Sequence, residues 1–132
     1  MARVFALKDA KSLNLPGRKS REIVGASAGA HGTTMRLVEI EPAKPGEPRR
    51  GPHVHFGFEE CIHVLAGEGL TRTDAGEYKL AAGDTILIPA GEKHVTYNTG
   101  GATLRLLCFF PTNNVAAATV EYESWEAAGE PA

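Results

Sequence analysis

The chain has 132 residues and a formal net charge of −2, from 14 basic and 16 acidic residues. This length fits one domain with its own core, residues 1–132, and the lack of a basic excess argues against a nucleic-acid partner. No apolar run approaches the roughly 18 residues of a membrane span, and Met1–Lys11 lacks the apolar stretch of a signal peptide. We therefore expect a cytoplasmic protein with no membrane partner.

Glycines and prolines, 15 and 8 in number, separate short apolar segments along the chain. This rhythm is typical of an all-β sandwich or barrel, and no long stretch shows helical periodicity. The predicted strands are Thr33–Ile40, Cys61–Ala66, Leu70–Thr73, Glu77–Leu80, Thr85–Ile88, His94–Tyr97 and Leu104–Phe110.

The segments between these strands carry turn and loop signals. Asp74-Ala75-Gly76 predicts a hairpin turn. The proline-rich segment Glu41–Pro52 predicts a loop, and its Arg49-Arg50 pair is expected to lie in solvent. Residues Val120–Ala128 fit either a short helix or one more strand.

Candidate metal ligands follow directly after this loop. His53 and His55 are two residues apart, so in a strand both imidazoles point to the same side and can reach one ion. Glu60 offers a carboxylate oxygen at the start of the next predicted strand. By the same alternation His63 points to the opposite face, so we exclude it from the site. Glu59 remains the alternative acidic ligand.

The segment from Gly83 to Asn98 predicts how a third imidazole joins the first two. Pro89-Ala90-Gly91 predicts a turn in which Gly91 can adopt a positive φ. The chain reverses there, so His94 opens the next strand close to the earlier histidines. Three imidazoles and one carboxylate suit Fe, Mn, Ni, Co, Cu or Zn better than Ca or Mg. We therefore expect one divalent transition metal per chain.

The spacing of these residues resembles the two motifs of the cupin family. The positions that carry the resemblance are His53, His55, Glu60 and Gly67 in the first motif, and Gly83, Pro89, Gly91, His94 and Asn98 in the second. The spacing to Gly67 selects Glu60 over Glu59. The leading glycine of the first motif falls on Glu47, beside Gly46, and this departure concerns a turn and not the metal.

The resemblance implies a double-stranded β-helix, that is, a jelly-roll barrel, with its core at about 33–110 between an N-terminal arm and a C-terminal tail. It also implies a homodimer, in which the apolar strand Leu104–Phe110 would lie at the interface. The expected metal ligands are His53, His55, Glu60 and His94. Candidates for the substrate pocket are Phe56, Phe58, Ile62, Val64, Ile86 and Thr96.

The function we expect is a metal-dependent enzyme for a small organic molecule. Four protein ligands leave two octahedral positions open, which favours dioxygenase chemistry because O2 and a substrate oxygen can bind side by side. One alternative is a non-redox isomerase, cyclase, lyase or decarboxylase. Another is a small-ligand binding or sensing module without turnover. No second acid–base group is evident, since the pattern leaves open which way Arg36, Glu39 and Arg105 face.

Overall fold

The computed structural model describes all 132 residues and shows two antiparallel sheets that face each other as a jelly roll. The strands are β1 Lys11–Leu13, β2 Lys19–Val24, β3 Thr34–Ile40, β4 His53–His55, β5 Glu60–Ala66, β6 Glu68–Thr73, β7 Glu77–Ala81, β8 Thr85–Ile88, β9 His94–Asn98, β10 Leu104–Phe110 and β11 Thr119–Glu121. The six-stranded sheet has the order β1-β2-β3-β10-β5-β8, and the five-stranded sheet has the order β11-β4-β9-β6-β7.

The predicted all-β fold is confirmed, and the seven predicted strands are all present within two residues of their predicted ends. The short edge strands β1 and β11 were not among the predicted strands, and neither were β2 and β4, although the facing of His53 and His55 assumed a strand at β4. Strand β2 was missed because half of its residues are charged. Those charges pair inside the sheet: Arg21 contacts Glu39 at 3.1 Å, and Glu22 contacts Arg36 at 3.3 Å.

The hydrophobic core lies mainly on the inner face of the six-stranded sheet. Strand β10 runs between β3 and β5 and alternates between the two faces. Its inward residues join one buried cluster: Val38, Ile40, Ile62, Val64, Leu80, Ile88, Leu104, Leu106, Cys108, Phe110 and Val115. Only the alternate residues of β10 therefore remain for contact with a partner, rather than the whole predicted interface strand.

Three turns place the strands that carry the candidate ligands. The predicted hairpin at Asp74–Gly76 is confirmed, with the Thr73 amide donating to the Gly76 carbonyl at 2.7 Å. Gly91 has a φ of 81°, and its amide donates to the His55 carbonyl at 2.7 Å, which fixes this turn against β4. The segment between β3 and β4 is a loop, as its prolines predict.

The C-terminal segment covers the outer face of the five-stranded sheet. Trp125 packs with Val95 and Tyr97 in a second buried cluster, and its indole N–H donates to the Tyr97 hydroxyl at 3.0 Å. Tyr97 thus faces away from the candidate ligands, as the alternation from His94 predicts. None of the helical segments has the length and apolar character needed to cross a membrane.

Candidate metal centre

Four side chains from three strands converge at one end of the barrel. His53 and His55 project from the same face of β4, Glu60 begins β5, and His94 begins β9 opposite His53. One ligand atom from each lies within 4.8 Å of the other three. The exposed fractions of His55, Glu60 and His94 are only 4%, 4% and 1%. The structure therefore brings all four predicted ligands together in a site that is almost completely shielded from solvent.

The hydrogen-bond partners of two imidazoles determine which ring nitrogen carries the proton. His94 Nδ1 lies 2.9 Å from the Glu92 carbonyl, which can only accept. His55 Nδ1 lies 2.7 Å from Thr119 Oγ1, whose own proton is donated to the Val115 carbonyl at 2.6 Å. Both rings therefore carry their proton on Nδ1, which leaves the Nε2 lone pairs free.

These lone pairs point at the carboxylate. The Nε2 atoms of His55 and His94 both lie 3.1 Å from Glu60 Oε1. With neutral rings, three electron-rich atoms would face each other without a proton, which is unfavourable in a buried site. A divalent cation between them removes this repulsion, and the donor set suits a first-row transition metal. The residues present therefore fit a metal ion.

The titration behaviour reflects the same demand for positive charge. Burial acts to raise the pKa of Glu60. Without a metal, His55 and His94 can donate to Glu60 when a second proton is on Nε2, and these hydrogen bonds outweigh burial, so the pKa is lowered. Burial acts to lower the pKa of His94, yet the hydrogen bond and charge of Glu60 raise it overall. Burial, followed by the charge at His94, lowers the pKa of His53 well below its usual value. The site thus retains a carboxylate that needs a cation.

Two residues that resemble candidate ligands lie outside the cluster. His63 projects from the outer face of β5, where its Nδ1 lies 2.8 Å from Thr85 Oγ1. Glu59 is exposed, one residue before Glu60 begins the strand. Asn98 bridges two segments by donating to the carbonyls of Ile40 and Ala102, at 2.9 and 2.7 Å. Its role is therefore to fix the end of β9.

The four side chains open into a cavity of about 360 Å³. Of the predicted pocket residues, Ile62 and Thr96 line it. The other four lie elsewhere for different reasons. Phe56 is 52% exposed on the loop after β4, and Val64 is fully buried farther along β5. Phe58 and Ile86 pack against the core, and the Phe58 ring stacks on His55 with 5.4 Å between centroids.

Three arginines line this cavity: Arg18, Arg36 and Arg50. The sequence left open which way Arg36 faces, and it did not predict Arg18 or Arg50 as part of the site. The expectation that Arg50 lies in solvent is wrong. Its guanidinium is half-buried and donates to the Thr96 carbonyl at 2.6 Å. No local pattern signalled this position, because Arg50 lies in the irregular segment before β4, where strand alternation does not fix the direction of a side chain. Glu39 and Arg105 instead pair on the outside of the sheet, at 3.5 Å.

Comparison with known proteins gives a family match. The family model of the Cupin domain matches residues 37–110, which is more than half of the chain. Over 57 residues the chain is 35% identical to an oxalate-binding protein of Thermotoga maritima, covering 43% of this chain and 47% of that one. The chain thus matches less than half the length of the curated relatives.

Solved structures match over more of the chain. An oxalate decarboxylase from Lactobacillus farciminis superposes with a TM-score of 0.76 at 22% identity, covering 96% of this chain and 37% of that chain. A Streptomyces protein described as a nucleoside dehydratase, Pac13, superposes with a TM-score of 0.76 at 10% identity, covering 100% of this chain and 99% of that chain. At these identities the superpositions show the shared fold.

Proposed function

The chain belongs to the cupin family, and on that premise we propose that it is a metal-dependent enzyme acting on a small organic anion, with dioxygenase-type oxidation as its reaction. His53, His55, Glu60 and His94 would hold one divalent transition metal. Such an ion supplies Lewis-acid or redox chemistry and leaves two octahedral positions open. The remaining steps depend on what the chain's own residues do around it.

The proposal that the substrate is an anion rests on Arg50, a cavity cation that has no acidic side chain as its partner. In the cavity, Arg18 is paired with Glu121 at 3.0 Å, and Arg36 is paired with Glu22 at 3.3 Å. Arg50 instead donates to a backbone carbonyl. Burial, followed by the charge of Arg18, lowers the pKa of Arg50 to about 10. A guanidinium in this position would bind a carboxylate or similar anion in two-point fashion, and this observation carries the proposal.

The apolar walls and the shortage of free acids favour oxidation over proton transfer. Val38, Leu106 and Phe110 line the cavity and would exclude water from a small substrate. Glu121 is the only cavity carboxylate besides Glu60, and Arg18 already holds it. The cavity therefore has no unpaired carboxylic acid that could transfer protons. This favours a reaction that depends on the metal ion, such as oxidation, over acid–base catalysis by side chains.

Decarboxylation or carboxylate binding without turnover is the second candidate. The observation in its favour is the 35% identity to a protein described as oxalate-binding. Both candidates share the metal and the anion, and they differ in whether oxygen is consumed and whether the carbon skeleton changes.

Anaerobic loading with Fe(II) or Mn(II), followed by oxygen-uptake measurements across a panel of small carboxylates and catechols, separates these candidates. Oxygen uptake that depends on one compound supports the dioxygenase. Release of CO2 without oxygen uptake, or calorimetric binding without product, moves the assignment to the second candidate. In either case Arg50→Gln should weaken binding of the anion by about tenfold or more, while Arg49→Gln on the exposed neighbour leaves it unchanged. Equal effects of both variants would contradict the anion assignment.

A further inference from the structure

We propose that the C-terminal strand β11 orients two of the three histidines, with Thr119 positioning His55 and Glu121 positioning His53. This inference rests on the proposed metal site. Strand β11 lies outside the residues that match the family model. Neither residue belongs to the two motifs that predicted the ligands.

The register of β11 places both side chains next to the imidazoles. It pairs antiparallel with β4, so Thr119 lies opposite His55 and Glu121 lies opposite His53. Because side chains alternate along a strand, Thr119 and Glu121 share the face of the histidines. Val120 points the other way and is 42% exposed. The strand thus presents two polar groups inward and an apolar one outward.

Thr119 fixes the His55 ring through a two-step hydrogen-bond chain. His55 Nδ1 donates to Thr119 Oγ1 at 2.7 Å, and the hydroxyl donates onward to the Val115 carbonyl at 2.6 Å. The amide of Phe56 donates to the Ala118 carbonyl, which fixes the two segments together. The chain holds the proton on Nδ1, so Nε2 remains available to a metal ion.

Glu121 lies beside the His53 ring at a longer distance than Thr119 lies from His55. His53 Nδ1 is buried and has no hydrogen-bond partner, and Glu121 Oε2 lies 4.0 Å away. The other carboxylate oxygen accepts from Arg18 at 3.0 Å, which anchors the side chain beside the ring. A small rotation of either side chain brings Nδ1 and Oε2 within hydrogen-bond distance. Glu121 is then the acceptor that holds His53 with Nε2 towards the site.

His94 provides an internal comparison. Its Nδ1 donates to the Glu92 carbonyl, two residues earlier in its own segment. The orientation of His94 therefore does not depend on β11. A change in β11 should perturb two ligands and leave the third in place, which predicts a distorted site rather than an absent one.

The test measures metal affinity by competition with a chelator, together with the visible absorption spectrum of the Co(II)-loaded protein. Thr119→Val should lower Co(II) affinity about 10–100-fold and alter the spectrum, as loss of a group that orients a metal ligand does. Thr119→Ser, which retains the hydroxyl, should restore both. Glu121→Gln should lower the affinity in the same direction. Val120→Thr, on the outward face of the same strand, is the matched control and should leave both readouts unchanged.

The outcomes separate this inference from the proposed function. Failure of the unmodified protein to bind Co(II) would overturn the metal site itself. Binding by the unmodified protein, together with unchanged affinity and spectrum in Thr119→Val and Glu121→Gln, would overturn the role of β11 alone. If Thr119→Val does not fold, Glu121→Gln compared with Val120→Thr still decides the question.

Discussion

At the scale of single residues, the position of one carboxylate controls the site. Glu60 is 4% exposed, and the imidazoles of His55 and His94 lie against its carboxylate, whereas the neighbouring Glu59 is exposed. A one-residue shift in a strand moves every side chain to the opposite face. The register of β5 therefore decides which of two adjacent glutamates can reach the metal.

Exchanging each glutamate for glutamine tests this register. Glu60→Gln removes the only negative charge among the four ligands, so we expect metal affinity to fall by about tenfold or more. Glu59→Gln should leave the affinity within experimental error, because its side chain lies in solvent. Chelator competition on both variants measures the difference. Equal losses in the two variants, or a larger loss in Glu59→Gln, would show that the register of β5 is wrong.

The convergence of the four candidate ligands could be predicted from the sequence, whereas the place of Arg18 and Arg50 in the cavity could not. His53 and His55 share a face by simple alternation, and the turn at Gly91 returns His94 beside them. Arg18 and Arg50 lie instead in irregular segments before β2 and β4, where no periodicity fixes the direction of a side chain. Their burial depends on tertiary packing, which the local pattern does not contain.

At the scale of elements, most strands were predictable, including the edge strands β7 and β8, whereas the three-residue edge strands β1 and β11 were not. Strand β10 combines an apolar run with a central place in its sheet, so pattern and packing agree. Strand β11 has three residues and only one partner strand. Such a strand is specified by its neighbour β4 rather than by its own residues, and for the same reason its contribution to the site was missed.

Two glycines at strand connections test how tightly these elements approach. Gly67, between β5 and β6, has a φ of 90°, and Gly83, before β8, has a φ of 95°. An added Cβ on Gly67 would lie 2.9 Å from the Thr103 carbonyl oxygen and 3.0 Å from Leu104 Cα, whereas one on Gly83 would meet nothing within 4 Å.

We therefore expect Gly83→Ala to cost about 1 kcal/mol of the free energy of unfolding, from the left-handed backbone alone. Gly67→Ala should cost roughly 2–3 kcal/mol, because the backbone at the start of β10 must also move. Urea unfolding of the two variants measures both values. A cost for Gly67→Ala no greater than that for Gly83→Ala would contradict the close approach of the β5–β6 connection to the start of β10.

At the scale of the whole molecule, the outer face of the six-stranded sheet exposes apolar side chains to solvent. Phe109, Leu87 and Leu65 are 38%, 55% and 44% exposed. Cys61 lies between Phe109 and Leu87 in the register of the sheet. Both charge signs occur at its edge, in the pair of Glu39 with Arg105. A twofold interface pairs one patch with itself. Because this face carries apolar side chains together with both charge signs, we propose that a second copy covers it.

Light scattering at micromolar concentration tests this dimer. The unmodified protein should elute with the mass of two chains, and Phe109→Glu should shift it to one chain, because a charge would be buried at the interface. Tyr78→Glu is the matched control. It changes a 43% exposed aromatic residue on β7, in the other sheet, and should leave the dimer intact. A mass of one chain for the unmodified protein would contradict the proposed dimer interface.

The central claim for the whole molecule is that one barrel holds one metal through four named side chains. The most direct measurement is the metal content by mass spectrometry of the unmodified protein, His94→Ala and His63→Ala after incubation with Mn, Fe, Ni and Zn. We predict about one ion per chain in the unmodified protein and in His63→Ala. His94→Ala should retain well below one ion per chain, because loss of this ligand lowers the affinity by about 100-fold or more. A metal-free unmodified protein would contradict the account, as would a metal lost from His63→Ala and retained by His94→Ala.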